Sequence, residues 1–318
     1  MLSTVIHRNL FSFLLLAGVF GVQGLAAQEP TESVHHLVEV EARIMKIMYE
    51  LRISNNDSFA MQKHHEAEEL FAEALRQPAA FLYPFDSLTM IGKLYSPDKK
   101  FRLINWNHSF LDGTQSHYGL IVIPSETTEN TVIWLTDQSD SIEYPEKKEL
   151  TSDQWFGALY YRIIPAKTAL DGERYYTLLG VDLNTLDTKK KIVEVLAFGK
   201  NGTTVQFGAP IIEMNGWTKH RLIFEFSSQE TMYLEYNKAK DRIEFDHLAP
   251  TEPYLFGQYA YYGPDMRQDG LKFAGKRWKH YKNISIKKIK KAPVPPAFQL
   301  GKSMQTDENE LDGPEENE

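Results

Sequence analysis

Cysteine is absent from all 318 residues. No disulfide, thiolate nucleophile or cysteine-based metal site is available, so a packed core has to hold the fold alone. A chain of this length can do that, because the fraction of surface buried on folding rises with size. Long apolar runs are also lacking. The longest, Leu10–Val22, falls short of the roughly 20 residues that span a bilayer. No glycine-rich phosphate loop, dinucleotide fingerprint or Gly-x-Ser-x-Gly nucleophile elbow occurs, which leaves no cofactor signature and no familiar hydrolase motif. Positive charge is in deficit as well. With 35 Lys+Arg against 43 Asp+Glu the formal net charge is −8, an acidic balance that argues against a nucleic-acid binder.

The two ends differ in kind from the rest. Met1–Asn9 carries His7 and Arg8 and no acid, Leu10–Val22 is apolar, and Gly24-Leu25-Ala26-Ala27 supplies small residues. That order reads as a secretory signal peptide over residues 1–27, predicting export to the periplasm or beyond with no transmembrane segment left after cleavage. At the other end Thr306–Glu318 is acid-rich, with Leu311 its one apolar residue. A disordered tail over residues 301–318 follows from that composition.

Thr31–Arg76 has helical periodicity. Val34, Leu37, Val38, Ile44, Ile47, Met48 and Leu51 recur at spacings of mostly three and four, which stacks them on one stripe. Ser54-Asn55-Asn56-Asp57-Ser58 breaks the pattern and offers N-caps to a second helix. That helix carries Phe59, Ala67, Leu70, Phe71, Ala74 and Leu75 before Pro78 stops it. The prediction is a helical hairpin within residues 28–80, packed on itself or on a sheet.

From residue 81 to about 300 the pattern is that of strands. Met90–Tyr95 and Phe101–Asn107 flank the turn Ser96-Pro97-Asp98-Lys99. Tyr118–Pro124 and Thr131–Thr136 are apolar on both faces and read as central strands. Further strands are expected at Trp155–Ile164, Tyr175–Val181, Lys191–Phe198, Arg221–Phe226 and Thr231–Phe245. In the last two, Leu222, Phe224 and Phe226, then Met232, Leu234 and Tyr236, then Ile243 and Phe245 fall on one side. These three segments read as an antiparallel meander with one wet face. The fold class predicted is mainly β, sandwich- or barrel-like, with an N-terminal helical hairpin: α+β overall.

Several clusters invite a metal, and each fails on geometry. His35-His36 and His64-His65 lie at offset heights of a hairpin, and adjacent helical residues diverge, so solvated or capping roles suit them better. Asp182 and Asn184 fit the first two ligand positions of a calcium loop, but Leu186 and Asp187 stand where an acid and a glycine are required. His108, Ser109 and Asp112 share one loop, whereas triad members converge from separate elements.

Tyr261–Gly270 is the stretch with the most chemical potential. Gly263-Pro264-Asp265 reads as a tight turn bracketed by Asp265 and Asp269, with Tyr261, Tyr262 and Trp278 near in sequence. Aromatic faces beside carboxylates suit a sugar, rings stacking on C–H faces while acids accept hydroxyl hydrogen bonds. Asp265 and Asp269 would also serve a glycosidase if set roughly 5–5.5 Å or 6.5–9.5 Å apart. The plainer reading is a turn whose acids cap backbone N–H groups. Farther on, Lys276–Lys291 is strongly basic with Ile284, Ile286 and Ile289 interleaved, and reads as a charged edge strand.

Tyr175–Phe198, with Leu178-Leu179-Gly180-Val181-Asp182 and Thr188-Lys189-Lys190-Lys191, then Phe245-Asp246-His247-Leu248, Tyr261-Tyr262-Gly263-Pro264-Asp265 and Asp269-Gly270, together resemble a family of uncharacterised exported proteins of the Bacteroidetes. The resemblance runs from about Met90 to Ile289. It implies export and a β-rich domain and brings no reaction type with it. The functional expectation is therefore a non-catalytic binding or structural module of the cell envelope, engaging a glycan or an envelope protein. A carbohydrate hydrolase using Asp265 and Asp269 is the alternative.

Overall fold

The computed structural model describes residues 32–126 and 128–284. The predicted signal peptide and acidic tail, and the basic stretch beyond Ile284, lie outside the described residues.

Helix α1 (Glu32–Ile53) and helix α2 (Asp57–Arg76) form the expected hairpin. Asn56 caps α2, its side chain accepting from the Phe59 N–H at 3.0 Å, which satisfies one of the orphan donors of the first turn. Leu37, Val40, Ile44, Ile47, Met48 and Leu51 make the buried stripe of α1. On α2, Ala60, Ala67 and Ala74 recur beside Leu70, Phe71 and Leu75. Val38 and Phe59, expected on those stripes, are exposed instead.

Strands β1 (Gly92–Tyr95), β2 (Arg102–Ser109), β3 (Gln115–Ile123) and β4 (Thr131–Thr136) follow as an antiparallel sheet A in chain order. The Ser96–Lys99 turn closes β1–β2, with the Lys99 N–H bonded to the Ser96 carbonyl at 2.9 Å. β3 is central as expected. β4 is an edge strand, and most of its residues are only half-buried.

Sheet B takes β5 (Leu150–Thr151), β6 (Leu159–Thr168), β7 (Arg174–Asp182), β8 (Thr188–Phe198) and β9 (Val205–Phe207). The chain then lays β10 (Ile212–Met214) and β11 (Trp217–Lys219) into a third sheet, C. β12 (Leu222–Ser227) returns to pair with β8. Finally β13 (Leu234–Asn237), β14 (Arg242–Pro250), β15 (Tyr262–Ala274) and β16 (Arg277–Tyr281) complete sheet C in the order β11-β10-β16-β15-β14-β13. The sheets are open, so the sandwich reading stands and the barrel reading does not.

Two corrections concern these last strands. β12, β13 and β14 are not one meander: β12 belongs to sheet B and the other two to sheet C. Leu222, Phe226, Met232, Leu234, Ile243 and Phe245 are nevertheless all buried in one cluster. The dry side was right, but the strands face each other across a core rather than lying side by side. β16, in turn, is no edge strand, because it sits between β15 and a parallel partner, β10.

The result is a stack of four layers with three apolar cores. The helical hairpin packs on Ile104, Trp106, Leu120 and Val122 of sheet A. The opposite face of sheet A, with Leu103 and Ile121, meets Tyr176, Leu178 and Ile192 of sheet B. Leu179, Val193 and Val195 point out of the other face of sheet B onto Ile243, Phe245, Leu271 and Trp278 of sheet C. Side chains alternate along a strand, so adjacent apolar residues can only both be buried if both faces are covered.

One charged pair lies inside this stack. Arg221 Nε donates to Glu194 Oε2 at 2.7 Å, both side chains being fully buried. Burial pushes the Glu194 carboxyl up, and the Arg221 charge and hydrogen bond oppose that shift. The guanidinium also donates to the carbonyls of Pro145 and Lys148, tying the 145–148 turn to β12. Gly208, at φ +87°, makes room for it: a Cβ there would lie 2.5 Å from Arg221 Nη2 and 2.7 Å from the Lys148 carbonyl. Removing one partner strands the other charge. Arg221→Met should therefore lower unfolding free energy in denaturant by about 3–5 kcal/mol, and adding Glu194→Leu should restore part of it. A single variant with an unchanged denaturation midpoint would refute this reading.

Candidate functional site

The residues singled out by sequence fall on β14, β15 and β16, in three different settings. β14 and β15 pair regularly through Asp246 and Gln268 and again from Leu248 and Pro264. Between those points His247 alone faces Asp265, Met266 and Arg267, which bulge outward; Met266 has φ +68°. Gly263-Pro264-Asp265 is thus strand leading into a bulge, not the tight turn expected. An irregularity of this kind re-aims side chains out of the ladder.

Asp265 Oδ2 lies 2.9 Å from His247 Nδ1 and accepts from Arg267 Nε at 2.8 Å. Partial burial would raise the carboxyl, but the Arg267 hydrogen bonds and the His247 charge outweigh it and hold it below its usual value. Asp269 is turned inward. Its Oδ2 is 2.8 Å from His280 Nε2 and its Oδ1 accepts from the Asn283 N–H at 2.9 Å. The two acids, four positions apart on one strand, therefore keep separate company. Trp278 is fully buried between sheets B and C, its indole donating to Thr177 Oγ1 at 2.9 Å. Strand neighbours on both sides of β16 draw it into the core, so it presents no ring to a ligand.

Tyr261 and Tyr262 lead to a feature that sequence reasoning missed. The link between β14 and β15 holds two single 3₁₀ turns, Pro253–Leu255 and Tyr259–Tyr261. Tyr254, Phe256, Tyr259 and Tyr261 all stand exposed on it, the first two at 78% and 83%. Its backbone is pinned: the Thr251 N–H bonds the Tyr261 carbonyl at 2.9 Å, and the Gly257 N–H bonds the Tyr262 hydroxyl at 2.9 Å. The available signal was Pro253-Tyr254-Leu255-Phe256, aromatic residues with no strand or helix to bury them.

A second unforeseen site lies where sheets A and B meet. A polar cavity of about 290 Å³ is lined by 114–117, 137–141, Asp182, Asn184 and Thr185. His117 on β3 places Nδ1 2.9 Å from Asp137 Oδ2. Its Nε2 is buried and lies 3.5 Å from Asp182 Oδ1 without forming a hydrogen bond. Ser139 bonds the Asp137 carboxylate rather than the imidazole, and Gly157 N–H adds a further donor, so no serine relay is assembled. A metal is disfavoured too. Lys190 Nζ already sits 3.5 Å from Asp182 Oδ2 and 2.5 Å from Asn184 Oδ1, where its ammonium repels a second cation. No family model, no curated protein and no solved structure matches this chain.

Asp137 gives the site a measurable signature. Burial alone would raise its carboxyl, but hydrogen bonds from His117 and Ser139, with the His117 charge, bring it down to about 2. A folded value below the unfolded one, about 3.9, means stabilisation present above the unfolded value and lost as pH falls toward 2. That difference is worth about 2.6 kcal/mol in all, of which about 2 kcal/mol is lost by pH 2. Between about pH 5 and pH 2 the wild type should lose roughly that much more unfolding free energy than Asp137→Asn. Parallel stability curves for the two proteins would sink the assignment.

Proposed function

We propose that the protein is an exported, non-catalytic binding module of the cell envelope that takes a glycan on the aromatic rim Tyr254–Tyr261. The observation that carries this reading is the rim itself: four exposed rings within eight residues, on backbone already fixed by its own hydrogen bonds. Large aromatic side chains left in water mark a contact surface more often than a structural need. A segment ordered in advance has little conformational entropy left to lose on binding. Ring faces meet the C–H faces of sugars, while the Tyr259 and Tyr261 hydroxyls offer polar contacts.

The hydrolase alternative, with Asp265 and Asp269 as its acids, draws no support from their surroundings. Asp265 is engaged by Arg267 and His247, and Asp269 by His280 and a backbone N–H. Neither lines any of five cavities of about 240–570 Å³ among the described residues. An enzyme of this class needs both acids open to one sugar ring.

The test is affinity capture on a panel of soluble oligosaccharides and insoluble polysaccharides, comparing wild type with Tyr254→Ala/Phe256→Ala. Both side chains are exposed, so melting temperature should not change, while glycan affinity should drop roughly tenfold or more. Retained glycan affinity in the double variant would overturn the site, and binding of envelope protein with no glycan retained would replace the ligand class.

A further inference from the structure

Beyond the rim and the polar cavity, a third concavity lies between the helical hairpin and the end of β2. It measures about 270 Å³ and is lined by Met48, Leu51, Met90 and Trp106 on its apolar side and by Arg52, His64 and His108 on its polar side. His64, expected in solvent, is only 2% exposed. Its surroundings fix which nitrogen carries the proton. Trp106 Nε1, which can only donate, is 3.2 Å from His64 Nδ1, so Nδ1 accepts and the proton of the neutral ring is on Nε2.

That Nε2–H is buried and has no partner among the described residues, and the same is true of His108 Nε2. Tyr118 stacks on the His64 ring at 4.2 Å, and His108 stands edge-on at 4.9 Å. Burial, with His108 beside it, lowers His64 to about 3, so the ring stays neutral in ordinary conditions. A nitrogen bearing hydrogen has no lone pair for a metal. What would complete it is an acceptor, since a buried N–H left unmade costs free energy. Arg52, in the last turn of α1, is exposed and makes no ion pair among the described residues. A cation at the rim of a cavity whose wall includes His64, with its unmatched Nε2–H, selects an acceptor that is also an anion.

We propose that this cavity binds a small aliphatic carboxylate, its oxygens accepting from His64 Nε2–H and pairing with Arg52 while its chain lies on Met48, Leu51, Met90 and Trp106. The mixed walls separate this ligand from both a bare inorganic anion, which has nothing to set against the apolar side, and a neutral alkane, which leaves the donor unmet.

The test uses the full mature chain with hexanoate and octanoate as probes and the matching alcohols as controls. Calorimetric titration and histidine side-chain nitrogen NMR should show saturable binding of the acids with a shifted His64 Nε2–H signal, and the acids should raise the melting temperature. The alcohols should bind about tenfold more weakly, and Arg52→Gln, a surface change, should weaken the acids by a similar factor while leaving the alcohols unchanged. Acids and alcohols of equal affinity, acids indifferent to Arg52→Gln, or no saturable binding would each overturn the proposal.

Discussion

The central strands of sheet B are covered on both faces, and because they carry apolar residues in adjacent pairs, sheets A and C are constrained to close over them. Leu178 and Leu179, Ile192 and Val193, and Val195 and Leu196 are neighbours along the chain and all fully buried, which a half-wet sheet could not achieve. Sheet A covers one side and sheet C the other. Sheet A then repeats the problem, with Leu103 beside Ile104 and Leu120 beside Ile121. The helical hairpin closes that second face. A chain without disulfides thus gains its stability by adding layers, each buried apolar side chain contributing about 1.5–3 kcal/mol before chain entropy is subtracted.

Three acids inside the stack are each held by a basic partner. Glu194 with Arg221, His117 with Asp137, and Asp269 with His280 are each within 2.9 Å of their partner. The first two join elements far apart in sequence, and the third ties β15 to β16. Apolar contact fixes how much area is buried but tolerates sliding; a charged pair at one register does not. These pairs lie within single sheets, Glu194–Arg221 beside the β8–β12 ladder and Asp269–His280 between β15 and β16, and fix a register between neighbouring elements that hydrophobicity alone would leave loosely determined.

Much of the architecture was legible in the sequence for a simple reason: alternation along a strand reports which side is dry. Leu222, Phe226, Leu234, Ile243 and Phe245 were identified as inward-facing and are buried. Alternation does not report which sheet supplies the covering surface, so β12 was placed beside β13 when it lies opposite. The candidate site was less legible. Trp278 and the two acids are close in sequence, yet β16 is held between β10 and β15 and its indole turns into the core. His117, a lone histidine on an apolar strand, looks unremarkable until Asp137, 20 residues later, is brought to its ring. The His64-His65 pair reads as solvated or capping, and only Trp106, 42 residues later, draws His64 inward.

A layered stack also limits where recognition can occur. Inner faces are consumed by packing, which leaves connections, irregular pairings and the ends of sheets to carry binding groups. All the unusual features obey this. The aromatic rim is the link between β14 and β15, the His247–Asp265–Arg267 group sits on the bulge that the same pair of strands makes, and the two histidine-bearing cavities lie at seams between neighbouring layers. Tyr254 and Phe256 could not be buried by turning inward, because β14 and β15 already bury Ile243, Phe245 and Leu271 on their inner face. Their exposure is therefore a property of the segment's position outside the stack. That explains how residues so apolar persist in water on a backbone held by its own turns.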